Sequence, residues 1–220
     1  MRKQLITLLF LICGLISKAQ QKSETYYKDY YLTKEVNKKK AKFKKIETKN
    51  TNELINIQIF NLSNNCLVKE ENYKGNNPTG IWITYSENCS IETKRDFSKL
   101  IYSKKQIDTL FNNVIEDSNP DNYEKAQYGD NENAIFQYIK SQLKYPSEAI
   151  DAGISGMVIL QFIINPDGSI KMVSIVQSAH AFLDYESWEL IENMPKWNPA
   201  KKNGQAIASY YNVPITFRLK

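Results

Sequence analysis

Only one histidine, His180, occurs in the 220 residues, with three cysteines, eight glycines and seven prolines. Two thiols and one distant histidine do not make the four ligands that zinc usually takes, so no metal site is assigned. No phosphate-binding glycine loop, zinc-binding helix motif or calcium-loop spacing is present. No nucleophile elbow surrounds Ser178, Cys66 or Cys89. The acidic residues from Glu116 to Glu132 are irregularly spaced and read as solvated loop, and His180 reads as part of a solvated turn. These absences point away from catalysis: no catalytic residue and no cofactor is expected. Apolar runs of the ~20 residues that a spanning helix needs are lacking as well.

What is present begins with a processing segment. Arg2 and Lys3 precede an apolar run from Leu5 to Ile16, followed by the small-residue signal Lys18-Ala19-Gln20. Residues 1–19 are read as a signal peptide, with retention as a membrane anchor as the alternative. Ile12 stands where a lipoprotein would have a small residue before Cys13. Cleavage removes three cations, so the net charge falls from +5 to +2. That modest value gives little support to a nucleic-acid partner, and none is expected. Cys66 and Cys89 then remain, in a compartment that permits disulfides.

Residues 20–43 read as an N-terminal extension with a tyrosine patch (Tyr26, Tyr27, Tyr30, Tyr31) and the start of a basic run, Lys38 to Lys45. The run suits either a docking surface for an anionic lipid or acidic partner, or a solvated face leading into a strand. From Leu54 the alternation of Ile55, Ile57 and Ile59 with Asn56 and Gln58 is strand periodicity. Ser63-Asn64-Asn65-Cys66 is echoed by Ser86-Glu87-Asn88-Cys89, with a turn-rich break at 75–80 between them. Residues 44–103 are therefore expected to form an antiparallel meander of hairpins. They resemble the MORN-like hairpin repeats of exported bacterial proteins, with Cys66 and Cys89 where the turn glycine would stand. Equivalent positions of neighbouring hairpins lie about 10 Å apart. A disulfide needs Cα atoms within about 7 Å, so a Cys66–Cys89 bridge calls for a local distortion.

Residues 104–131 are polar and turn-prone, and read as a linker between domains. Asn131 or Asn133 is placed to cap a helix with apolar positions Ile135, Phe136, Ile139 and Leu143, which Pro146 closes. Gly156 to Ile164 reads as a strand, Asn165-Pro166-Asp167-Gly168 as a hairpin turn, and Ile170 to Val176 as the returning strand. Phe182, Tyr185, Trp188, Leu190, Ile191 and Met194 mark a helix, with Asp184, Glu186, Glu189 and Glu192 mostly on its wet side. Ile207 to Leu219 reads as a third strand. Pro214 cannot donate to a ladder, which places that strand at an edge or beside a bulge. The expected class is α+β: the meander, then a small domain (132–220) with an antiparallel three-stranded sheet and covering helices.

The residues Tyr145-Pro146, Ala149, Gly153, Gly156, Asp167-Gly168, Leu183-Asp184, Met194-Pro195, Trp197 and Pro199, with Asn203-Gly204, Val213-Pro214 and Phe217, make this domain resemble the TonB C-terminal domain. The resemblance implies binding rather than chemistry, and a link to transmembrane transport. The expected partner is an outer-membrane TonB-dependent transporter, or a related envelope protein, whose extended peptide pairs with the last strand. Carried over, the pairing edge is Ala208, Ser209, Tyr210, Tyr211, Asn212 and Val213, with Tyr145 and Pro146 near the transporter contact. A periplasmic location follows, with an inner-membrane anchor facing the periplasm as the alternative. Membrane contact would run through partners unless the N-terminal segment is retained. A complete TonB has an energised transmembrane helix and a long Pro-rich segment; here a signal peptide is read and the Pro-rich segment is missing. Ala200 also replaces a frequent glycine. The other reading is an envelope structural or assembly protein that binds partners through the meander and uses the TonB-like domain as a homodimerising scaffold.

Overall fold

The structure, a computed structural model, describes residues 20–103 and 122–219. The expected signal peptide, and residues 104–121 of the expected linker, lie outside the described residues. The class is α+β: an N-terminal antiparallel meander is followed by a small domain with its own sheets and helices.

The meander runs through β1 (Gln21–Tyr27), β2 (Phe43–Lys49), β3 (Leu54–Asn61), β4 (Leu67–Lys74), β6 (Ile81–Tyr85) and β7 (Ile91–Asp96) in sequence order; a two-residue strand, β5 (Asn77–Pro78), pairs with β4. Short hairpins explain the order, because each strand finds its partner a few residues away. The stretch read as an N-terminal extension supplies β1, paired with β2 along its full length from Gln21↔Lys49 to Tyr27↔Phe43. Its side chains are mostly exposed, so the apolar alternation that reveals a half-buried strand is missing.

Cys66 and Cys89 form a disulfide with Cα atoms 5.5 Å apart. The expected two-strand separation does not apply, because Cys66 lies just before β4 and Cys89 just after β6, and those strands are direct neighbours. Cys89 takes a left-handed backbone, φ 65°, in the turn position where glycine would be easiest. Register shifts at Ile59/Phe60 and Thr84/Tyr85 add the local distortion at that end of the sheet.

In the C-terminal domain, helices α1 (Ala134–Gln142) and α2 (Ser147–Asp151) precede β9 (Gly156–Ile164) and β10 (Ile170–Gln177). Then come α3 (Ala181–Glu192), a short hairpin of β11 (Ala200–Lys202) and β12 (Gln205–Ile207), and β13 (Ser209–Phe217). The main sheet has the order β10-β9-β13. Gly168 closes the β9–β10 turn with φ 80°, and a Cβ there would meet the Trp197 carbonyl oxygen at 2.3 Å. Neither asparagine caps α1 with its side chain; Asn131 Oδ1 instead accepts from the Asn133 backbone N–H. Phe136 is exposed, and Ile135 and Ile139 carry the buried face.

The end of the expected linker is built into this domain. β8 (Tyr123–Glu124) pairs with β11, Gln127 bridges to Asn198, and the Tyr128 ring packs on Tyr138 and Trp197. Polar, turn-forming composition hid it, since its pairing partners lie some seventy residues later in the chain.

One hydrophobic cluster joins meander and domain. Trp82 packs on Phe97, with centroids 4.4 Å apart, and on Phe182 at 5.9 Å, while Phe97 meets Tyr185 at 5.1 Å. The meander therefore covers the face of α3 that points away from the sheet. This overturns the expected wet side at Asp184, which is buried at 1% exposure, and at Glu186, while Glu192 stays at the surface. Arg95 donates to both oxygens of Glu148, at 2.7 and 3.2 Å, and lies 3.8 Å from Glu186. Lys99 pairs with Glu189 and Glu192. Amphipathic spacing shows where one core is, and it cannot show a second cover.

Candidate partner-binding edge

The two sides of the β10-β9-β13 sheet are not equivalent. On the β10 side, the segment after the meander adds itself in parallel. The Ile175 N–H donates to the Ile101 carbonyl at 2.6 Å, and the Ser103 N–H donates to the Ile175 carbonyl at 2.9 Å. On the other side, β13 pairs with β9 throughout, from Ser209↔Ile164 to Phe217↔Gly156. Among the described residues no strand lies beyond it.

Alternation along β13 sorts its side chains. Val213, Ile215 and Phe217 point into the core and are nearly fully buried. Tyr210, on the opposite face, is 57% exposed. Pro214 sits opposite Ile159, and its missing N–H is tolerated because this strand is at an edge. Of the expected pairing run, Ser209 to Val213 lie in β13, and Ala208 is the exposed residue that joins it to β12. Tyr211 is half-buried against Trp197, at 4.7 Å, and Phe162, at 5.5 Å. Ser209 Oγ and Asn212 Oδ1 are buried with no hydrogen-bond partner among the described residues.

Tyr145 and Pro146 lie toward the other end of the strand. The Tyr145 ring packs on Phe217, 5.3 Å between centroids, and its hydroxyl donates to the Ile154 carbonyl at 2.6 Å. Pro146 is buried at the start of α2. The structure does not bring this pair together with the exposed run at 208–210; it uses both residues to fix α2 against the end of β13.

A cavity of ≈ 240 Å³ opens between the meander and α3, lined in part by Tyr73, Asn77, Tyr102, His180 and Asp184. Asp184 accepts from the Ser178 hydroxyl at 2.6 Å, the Tyr102 hydroxyl at 3.1 Å and the Ala179 N–H at 3.2 Å. Burial pushes its carboxyl up to about 6, against the pull of those donors. His180 is not in a solvated turn: its Nδ1 accepts the Phe182 N–H and caps α3, and burial lowers its pKa. Sequence reasoning placed both residues in solvent. The signal available was position, a histidine and an aspartate flanking the first turn of a helix. Asp184 already holds three donors, so the cavity presents no unpartnered acid. Among the described residues, no group of three His, Cys, Asp or Glu side chains is disposed to hold a metal ion, and no helix is long and apolar enough to cross a membrane.

Comparison with known proteins finds one family. Residues 141–219 match the model described as Gram-negative bacterial TonB protein C-terminal, which spans α2, the main sheet, α3 and β13. No curated protein and no solved structure gives a significant match.

Proposed function

From the premise that residues 141–219 form a TonB C-terminal domain, we propose that the protein is a periplasmic binding protein. It captures the extended periplasmic segment of an outer-membrane transporter by β-strand pairing along β13, in the service of transmembrane transport. One observation carries this reading: β13 is an edge of the main sheet, paired along its whole length with β9 and followed by no further strand among the described residues. An exposed edge is a row of unpaired donors and acceptors that an extended peptide satisfies. Tyr210, more than half exposed, gives that edge a side chain for selectivity. Binding, rather than catalysis, is the work of such a surface.

The test is titration of the purified protein with a synthetic peptide from the periplasmic end of an outer-membrane transporter, followed by calorimetry. Tyr210→Pro and Tyr210→Asp are expected to weaken capture at least tenfold while circular dichroism stays unchanged. The aspartate variant guards against a proline that merely disturbs the strand. Capture that survives both variants overturns the reading. If both variants turn a dimer into a monomer and the wild type binds no peptide, the edge serves self-assembly instead.

A further inference from the structure

The first hairpin of the meander carries a charge that the binding edge does not need. Residues 20–49 hold ten lysines against four carboxylates, whereas residues 122–219 hold eight cations against ten. The fold gathers these lysines instead of scattering them. Tyr26 of β1 faces Lys44 of β2, and Lys44 faces Phe60 of β3. Lys38, in the 3-10 turn Lys38–Lys40, extends its ammonium over the Tyr26 ring, 5.8 Å from the centroid, and Lys44 lies 5.2 Å from that of Phe60. Lys42, in the bend just before β2, is exposed beside them in the chain. Glu24 is the acid they surround: its carboxyl is held low first by the Tyr26 hydroxyl and then by Lys44, Lys22 and Lys38.

Among the described residues, none of Lys22, Lys38, Lys39, Lys40, Lys42 or Lys44 makes an ion pair. Glu47 is spent on Lys45 and Lys49 on the opposite face, at 3.4 and 3.9 Å. We infer that the β1–β2 hairpin docks this lysine face onto an anionic phospholipid surface. Two features favour lipid over an acidic protein segment. Every cation is lysine, a hydrated point charge suited to many diffuse headgroups, with no arginine fork for a particular carboxylate. The cations are also spread, Lys22 on β1, Lys44 on β2 and Lys38 in the 3-10 turn, as diffuse headgroups would need.

Sedimentation of the purified protein with vesicles of phosphatidylcholine containing about one-third phosphatidylglycerol, against pure phosphatidylcholine, tests this. Binding only to the anionic vesicles is expected, falling steeply between ~0.05 M and ~0.3 M salt. The combined variant Lys38→Gln, Lys40→Gln, Lys42→Gln, Lys44→Gln should weaken it at least about tenfold. The same variant should keep its circular dichroism and its peptide capture at β13, and the fourfold Lys→Arg variant should keep vesicle binding. An apolar leader inserting on its own would hold the protein on neutral vesicles too. Equal binding to both vesicle types, or an unchanged Lys→Gln variant, overturns the inference. So does binding to polyglutamate without binding to vesicles, which would assign the face to an acidic protein.

Discussion

The two sheets of this molecule are built on opposite plans. The meander is made of neighbours: six strands in sequence order, each pairing with the next, and few fully buried side chains of its own. The main sheet of the C-terminal domain is made by return, since its central strand β9 takes as one partner β13, from the far end of the domain. Val158, Leu160, Phe162 and Ile164 on β9 are all at 0% exposure, which no meander strand approaches along its length. The largest buried groups before the linker, Trp82 and Phe97, pack against α3 of the domain. The contrast teaches that the meander is ordered by local turns and stabilised by its neighbour. The domain has a core of its own and gives the meander the rest.

The sharpest way to break the contrast is Trp82→Ala. If the two parts unfold as one unit, the single chemical-denaturation transition moves by about 3–5 kcal/mol. If they are independent, only a meander transition moves and the domain's stays in place. Next in size is the disulfide. Cys66→Ser with Cys89→Ser closes no loop across the 23-residue separation, and the loss is about 3 kcal/mol. Reductant should act like the mutation, and its effect should be largest on amide exchange in β4 and β6. Arg95→Ala comes third, at about 2 kcal/mol, because it leaves Glu148 and Glu186 half-buried without their guanidinium. A double-mutant cycle with Glu148→Gln should recover part of that loss; simple additivity would show that the pair does not couple the two parts.

The smallest effect lies in pH. Asp184 has a folded pKa of about 6, above its ordinary 3.8, so the folded state holds the extra proton between those values. Its contribution to stability is full below pH 4 and is lost as pH rises toward 6. His180, lowered by burial, runs the other way: the neutral ring favours folding at high pH, and that benefit fades as pH falls below the usual 6.5. The two oppose each other in the same window. Asp184→Asn should therefore tilt the stability profile between pH 4 and 6 by at most about 1 kcal/mol per pH unit. An unchanged slope in thermal unfolding would show that Asp184 does not titrate there.

Reading the chain without coordinates went furthest where local chemistry decides. Pro166-Asp167-Gly168 specified the β9–β10 turn, Pro214 specified an edge strand, and the motif from Tyr145 to Phe217 specified the family of residues 141–219. β1 was hidden, because both its faces are polar, and the segment 122–131 was hidden because its partners are remote.

By itself, then, the sequence determined the α+β class, the order of hairpins and the strand that ends the sheet. Each of these depends on residues close together in the chain, where turn geometry, side-chain period and the missing N–H of proline act directly. Only the tertiary structure decided that Asp184 is buried, that His180 caps α3, that Tyr102 bridges to Ile175 on β10 and that lysines from two strands and a turn share one face. Those outcomes depend on which surfaces meet. Burial, pKa and the freedom of an edge are properties of that meeting, and no residue carries them alone.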